Sequence, residues 1–175
     1  MEKGKQHYVF KILLLGDDGV GKTSLLRNSN CYLVEKDNEP TIGVNFWTRD
    51  IQLSNKKVKL VIWKLKSSFK FDSYRHLYYK DAEGIILIYD ITKQDSFRNL
   101  EKLLSDALKY TARDTQIVIL GNKMDLKEKR AIPTSLGKKY AKKKNAVLFS
   151  EINANTGENV KDLFSILVKN ILKFY

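Results

Sequence analysis

The chain has 175 residues, 43% of them hydrophobic and 30% charged, with 9 Gly, 2 Pro and 1 Cys. That is enough for one sizeable core, so a single domain over residues 1–175 is expected, and collagen-like or Pro-rich classes are excluded; the lone Cys31 also excludes an internal disulfide or a cysteine zinc site and fits a reducing compartment. The net charge of +12 comes from 26 Lys and only 6 Arg spread along the whole chain, and because base and phosphate reading favours Arg, no specific nucleic-acid partner is expected and a Lys-rich solvent face is the plain reading.

In chain order, the opening MEKGKQHYVFKILLL turns polar at Gly16–Asp18, too early for a membrane span and without a cleavage site. Residues 8–15, YVFKILLL, read as a strand buried on both faces of a sheet, with a helix opening at Lys22. Residues 43–54 and 56–63 read as two strands of a hairpin turning at Asn55–Lys56. GIILIYD (84–90) is another buried strand, and Leu100, Leu103, Leu104, Ala107 and Leu108 then recur at helical spacing. QIVIL (116–120) is a further strand, Pro133 suits the first turn of a basic helix over 134–144, and AVLF (146–149) is a short strand. Val160, Leu163, Phe164, Leu167 and Ile171 stripe a final helix. Strands alternating with helices predict an α/β domain: a mostly parallel sheet, one antiparallel edge strand, and helices on both faces. Ligands of such sheets bind at the carboxyl ends of the strands.

Residues 16–23, GDDGVGKT, fit G-x-x-x-x-G-K-[ST] between a strand and a helix. Gly16, Gly19 and Gly21 let backbone N–H groups curl around phosphates, and Lys22 and the helix start supply positive charge. Thr23 can put its hydroxyl on Mg²⁺. Asp17 and Asp18 would repel phosphate unless they face solvent, which is the orientation expected. Residues 121–125, GNKMD, supply Asn122, Lys123 and Asp125 behind the QIVIL strand. The Asp125 carboxylate can accept the ring N–H and exocyclic amine of guanine, a pair that adenine lacks there. Lys123 can lay its stem over the purine, and Asn122 can tie the loops together. The loop SEINANTG (150–157) can close over the base, with the N–H near Ala154 on the guanine carbonyl oxygen.

With these segments, TIGVNF (41–46), KLVIW (59–63), FDSYRHLYYKDAEG (71–84), LIYDITKQDSF (87–97) and NANTGENV (153–160), the chain resembles the Ras superfamily of small GTPases, most closely its Rab branch, from about residue 8 to 172. The resemblance implies a six-stranded sheet with five helices, and a GDP/GTP switch using Mg²⁺ in vesicle traffic. It assigns nucleotide contacts to Asp18, Gly19, Val20, Gly21, Lys22, Thr23, Ser24, Thr41, Asn122, Lys123, Asp125, Ala154 and Asn155, and the metal to Thr23 and Thr41. It implies a monomer that meets protein effectors and exchange factors, cytoplasmic and peripheral on endomembranes. Lys138, Lys139, Lys142, Lys143 and Lys144 offer an anionic membrane or partner a basic patch.

One segment departs. After KLVIW the family reads D-T-A-G-Q-E, whereas this chain reads Lys64, Leu65, Lys66, Ser67, Ser68, Phe69. Lys64 replaces the Asp that holds the Mg²⁺ site through water, so metal affinity should fall. Ser67 replaces the Gly whose N–H contacts the γ-phosphate, and Ser68 the Gln that orients attacking water. No catalytic residue is assigned, and GTP hydrolysis should be very slow. Lysine's strong hydration favours Lys64 and Lys66 pointing to solvent; the alternative is that they put ammonium charge where Mg²⁺ normally sits. The aromatic expected edge-on to guanine is replaced by Val34, with Tyr32 out of register, and VKNILKFY carries no terminal Cys for prenylation. Two functions follow: a guanine-nucleotide-binding protein with crippled turnover, or a pseudo-GTPase interaction module with the fold and partner surface kept but switching lost.

Overall fold

Continuous burial of the apolar runs, with successive side chains on opposite faces, builds a sheet with two cores. In the computed structural model, which describes residues 6–34, 43–66 and 75–175, the strands are β1 (Gln6–Leu15), β2 (Tyr32–Leu33), β3 (Val44–Leu53), β4 (Lys56–Leu65), β5 (Gly84–Asp90), β6 (Gln116–Asn122) and β7 (Leu148–Ile152). The helices are α1 (Lys22–Arg27), α2 (Arg75–Tyr79), α3 (Gln94–Leu108), α4 (Thr134–Lys143) and α5 (Leu163–Ile171). The sheet runs β2-β3-β4-β1-β5-β6-β7. β3 is antiparallel to both its neighbours, and the remaining pairs are parallel.

Alternate side chains of each central strand serve opposite faces. Phe10, Ile12 and Leu14 of β1, Ile86 and Ile88 of β5, and Val118 and Leu120 of β6 pack with α1 and α5. Leu13, Leu15, Ile85, Leu87, Tyr89, Ile117 and Ile119 pack with α2, α3 and α4. Each such Leu or Ile contributes about 1.5–3 kcal/mol by leaving water. Helices therefore cover both faces, as the alternation of elements predicts.

The strand count is seven where six were expected. Tyr32 and Leu33 pair with Thr48 and Trp47, and the N–H of Val34 donates to Phe46 O at 2.9 Å. A two-residue edge strand has too little pattern to be read from sequence. The hairpin turn is Ser54–Asn55, one residue earlier than expected, with Ser54 at φ 48° and Lys56 already paired in β4. Pro133 caps α4 from just outside it. The last strand begins two residues later than AVLF and runs on to Ile152, which pairs with Asn122. β4 also outlasts its expected end at Trp63: Lys64 pairs with both Leu14 and Asn45, and Leu65 with Val44. The carboxyl ends of β1, β4, β5, β6 and β7 thus gather the motif residues at one edge. Among the described residues, no helix is long and apolar enough to cross a membrane.

Candidate nucleotide-binding site

The loop from Gly16 to Gly21 leaves β1 and enters α1 through Gly21 at φ 106°. An added Cβ there would run into the Asn122 amide, so glycine is required by conformation and by space. Lys22 is 7% exposed. Its Nζ donates to Gly16 O at 2.5 Å and Asp17 O at 2.8 Å, and lies 3.8 Å from the Asp18 carboxylate. Burial pulls the Lys22 ammonium down to about 8; Asp18 opposes the fall and the positive charge of Lys64 adds to it. Asp17 does not simply face solvent, because its carboxylate accepts from Asn99 Nδ2 of α3 at 2.7 Å. Asp18 is exposed on the side of Lys22, Gly19 is exposed beside it, Val20 enters the core, and Ser24 is half-buried.

Asn122 ties this loop to the loop after β7. Its Nδ2 donates to Val20 O at 2.7 Å, and its Oδ1 accepts from Ala154 N at 2.9 Å. The N–H of Asn155 donates to Asn153 Oδ1 at 3.0 Å. The Ala154 amide expected on a base carbonyl therefore already serves Asn122, while the Asp125 side chain is exposed at this corner. Lys123 adopts φ 69° and sets its Nζ 2.6 Å from the fully buried Asp90 carboxylate. Thr92 also donates to Asp90, from N at 2.9 Å and Oγ1 at 2.7 Å. Burial would push the Asp90 carboxyl up, but the hydrogen bonds from Lys123 and Thr92 outweigh it and hold it below the usual range. Sequence reasoning missed Asp90 as the anchor of Lys123; the available signal was an acid ending the otherwise apolar GIILIYD run.

The departure after Trp63 has a definite geometry. Lys64 is half-buried and donates from Nζ to Thr23 Oγ1 at 2.9 Å. This corrects the expectation that both lysines point to solvent; Lys66 does lie exposed. Period-two alternation explains the difference. Val58, Leu60 and Ile62 of β4 point into the α1–α5 core, so Lys64 comes next on that face, against the start of α1. Burial lowers the Lys64 ammonium's affinity for its proton, and Lys66 and Arg27 add to this. A cavity of about 390 Å³ opens here, lined by Asp18, Lys22, Thr23, Lys64 and Lys66 among others.

The residues present do not fit the Mg²⁺ that the resemblance implies. A Mg²⁺ on Thr23 Oγ1 would sit at about 2.1 Å from it, hence within about 5 Å of the Lys64 ammonium, a repulsion of about 7 kcal/mol at an effective dielectric of about 20. The carboxylate expected at position 64 would instead attract the ion. Among the described residues, no cluster of three His, Cys, Asp or Glu could hold a metal. Thr41, Ser67 and Ser68 lie outside the described residues.

Comparison with known proteins agrees with this architecture. The Ras family model matches residues 11–173. The chain is 37% identical to the Ras-related protein Rab-2B of Dictyostelium discoideum over 166 residues, 95% of this chain and 82% of the relative. It is 34% identical to the Ras-related protein RABA4b of Arabidopsis thaliana, over 96% of this chain and 75% of the relative. With the Ras-related protein Rab-12 of Mus musculus the identity is 35%, over 95% of this chain and 68% of the relative. The chain therefore belongs to the Ras family, as a Rab-like small GTPase.

Proposed function

We propose that the chain is a guanine-nucleotide-binding protein of vesicular traffic, one domain over residues 1–175, that binds GDP and GTP and hydrolyses GTP very slowly. The observation that carries the reading is the pairing of an intact nucleotide cradle with a replaced second switch. Asn122 locks the phosphate loop to the base loop at 2.7 and 2.9 Å, while Lys64 stands against Thr23 where the family has a carboxylate. Gly19, Val20, Gly21, Lys22, Thr23 and Ser24 hold the phosphates, with Asp18 turned toward Lys22, and Asp125 reads the base. The stem of Lys123 and the backbone of Ala154 and Asn155 flank the base, with the Lys123 ammonium held by Asp90 and the Ala154 amide by Asn122. Metal binding is weakened at Thr23 and Thr41, and Ser68 lacks the side-chain amide with which the family orients attacking water. The exposed lysines Lys138, Lys139, Lys142 and Lys143 of α4 suit an anionic endomembrane or an acidic effector. Lys144 contributes less, because it pairs with Glu101 at 2.7 Å. The protein acts as a monomer toward effectors and exchange factors.

The test is to denature the purified protein and identify any released nucleotide by chromatography, with and without prior chelation of Mg²⁺. GDP or GTP is expected; no guanine nucleotide, combined with no uptake of added GDP, contradicts the reading.

The second reading, a pseudo-GTPase interaction module, has its own support. β4 stays paired through Leu65, and the N–H of Lys66 donates to Gly43 O at 2.8 Å. These bonds hold residues 43–44 and 65–66 together at the described borders of the two segments. Hydrogen exchange over residues 36–46 and 64–80 separates the readings: protection differing between GDP and GTP supports the switch, and equal protection supports the module.

A further inference from the structure

We infer that the Lys64 ammonium takes the position of the divalent cation, so that this chain holds a nucleoside diphosphate without metal. The inference rests on the nucleotide-binding reading above and says what neutralises the phosphates. Lys64 is delivered by the sheet, not by a loose loop, since its backbone is paired on both sides, with Leu14 of β1 and Asn45 of β3. Its Nζ lies 2.9 Å from Thr23 Oγ1, the hydroxyl that would otherwise ligate the metal. An ammonium has three donors and no acceptor, so two remain for phosphate oxygens after Thr23 is served. The Thr23 hydroxyl accepts from Lys64 and keeps its own proton to donate. Lys adapts to such a site because its donors rotate about a single point charge, whereas Mg²⁺ demands near-ideal octahedral oxygen ligation.

The charge also comes close to a match. Lys22, Lys64 and Lys66 line one cavity, with Asp18 the one acid on its wall among the described residues. Three ammonium groups supply the same charge as one lysine and a dication. The terminal phosphate of a nucleoside diphosphate carries about −1.5 to −2 near neutrality and the inner phosphate adds one more; three lysines less the Asp18 carboxylate leave +2, which neutralises most of it.

The experiment uses the full chain loaded with N-methylanthraniloyl-GDP, chased with excess GDP in millimolar Mg²⁺ or in EDTA. Release from the wild type should change by less than about twofold between the two buffers, while Lys64→Asp should release more than about tenfold faster in EDTA than in Mg²⁺. Lys64→Met keeps the stem and loses the charge; it should release faster than the wild type in EDTA by more than about tenfold. If neither variant folds, the wild-type comparison alone decides. Retention of the probe that collapses in EDTA overturns the inference and leaves the nucleotide-binding reading standing. No retention in either buffer overturns that reading, and this inference with it.

Discussion

The side-chain amide of Asn122 donates to the carbonyl of Val20 across 102 residues of sequence, at 2.7 Å and buried. The same side chain accepts from Ala154, so one residue at the end of β6 holds the loops after β1 and β7 in fixed relation. Asn122→Ala leaves a buried carbonyl and a buried N–H without partners. The expected cost is about 2–4 kcal/mol of stability, read by urea unfolding, with a loss of GDP affinity beside it. An unfolding midpoint equal to wild type contradicts the locking role.

Asp125 tests base selectivity. Its carboxylate is exposed in the turn after β6, and two charge-assisted hydrogen bonds to guanine are worth about 1.5–3 kcal/mol each. Asp125→Ala should weaken GDP binding by more than about a hundredfold and leave ADP binding unchanged, as measured by competition against a fluorescent nucleotide. Equal losses for GDP and ADP would assign base recognition elsewhere.

The buried Lys22 makes binding pH-dependent. In the unfolded chain the ammonium titrates at 10.5, and in the folded chain at about 8. Between these values the unfolded state binds more protons, so the stability of the nucleotide-free protein should rise with pH from about 8 to 10.5. Phosphate needs the charged form, so GDP affinity should fall as pH climbs above about 8, by up to about tenfold per pH unit. Lys64, lowered chiefly by burial, pushes the same way. Titration calorimetry on either side of pH 8 checks the sign, which an affinity rising with pH would reverse.

A second polar tie lies behind the site. Arg130 grips Glu151 with two hydrogen bonds at 2.7 and 2.8 Å, and Thr134 adds a third at 3.0 Å. Burial would raise the Glu151 carboxyl, but Arg130 and Thr134 overcome it and hold it below 4.5. The pair therefore stabilises the fold above that pH, and the benefit fades as pH falls through the lowered folded value. Arg130→Ala should cost about 2–3 kcal/mol near neutrality, with the gap to wild type closing in acid, as followed by thermal melts across pH.

The two-faced strands were legible because Leu, Ile and Val dominate β1, β5 and β6, whose burial needs no partner chemistry. The phosphate loop and Asn122 were legible because their spacing demands a particular backbone, seen in Gly21 at φ 106°. Tyr32–Leu33 was not, since two exposed residues carry no period. Asp90 was missed because its partner, Lys123, lies 33 positions on and meets it only through the β5–β6 pairing. Lys64 was misread as solvent-facing because hydration was weighed and strand parity was not. Once β4 runs to Leu65, parity turns that side chain inward.

A cradle that binds nucleotide beside a second switch without the water-orienting Gln should hold GTP unhydrolysed. Protein loaded with GTP, freed of excess nucleotide and sampled by chromatography in Mg²⁺ measures this in a single turnover. GTP should be hydrolysed well below about 3–5 × 10⁻⁴ s⁻¹, the unassisted rate of Ras itself. GDP appearing at about that rate or faster would contradict it.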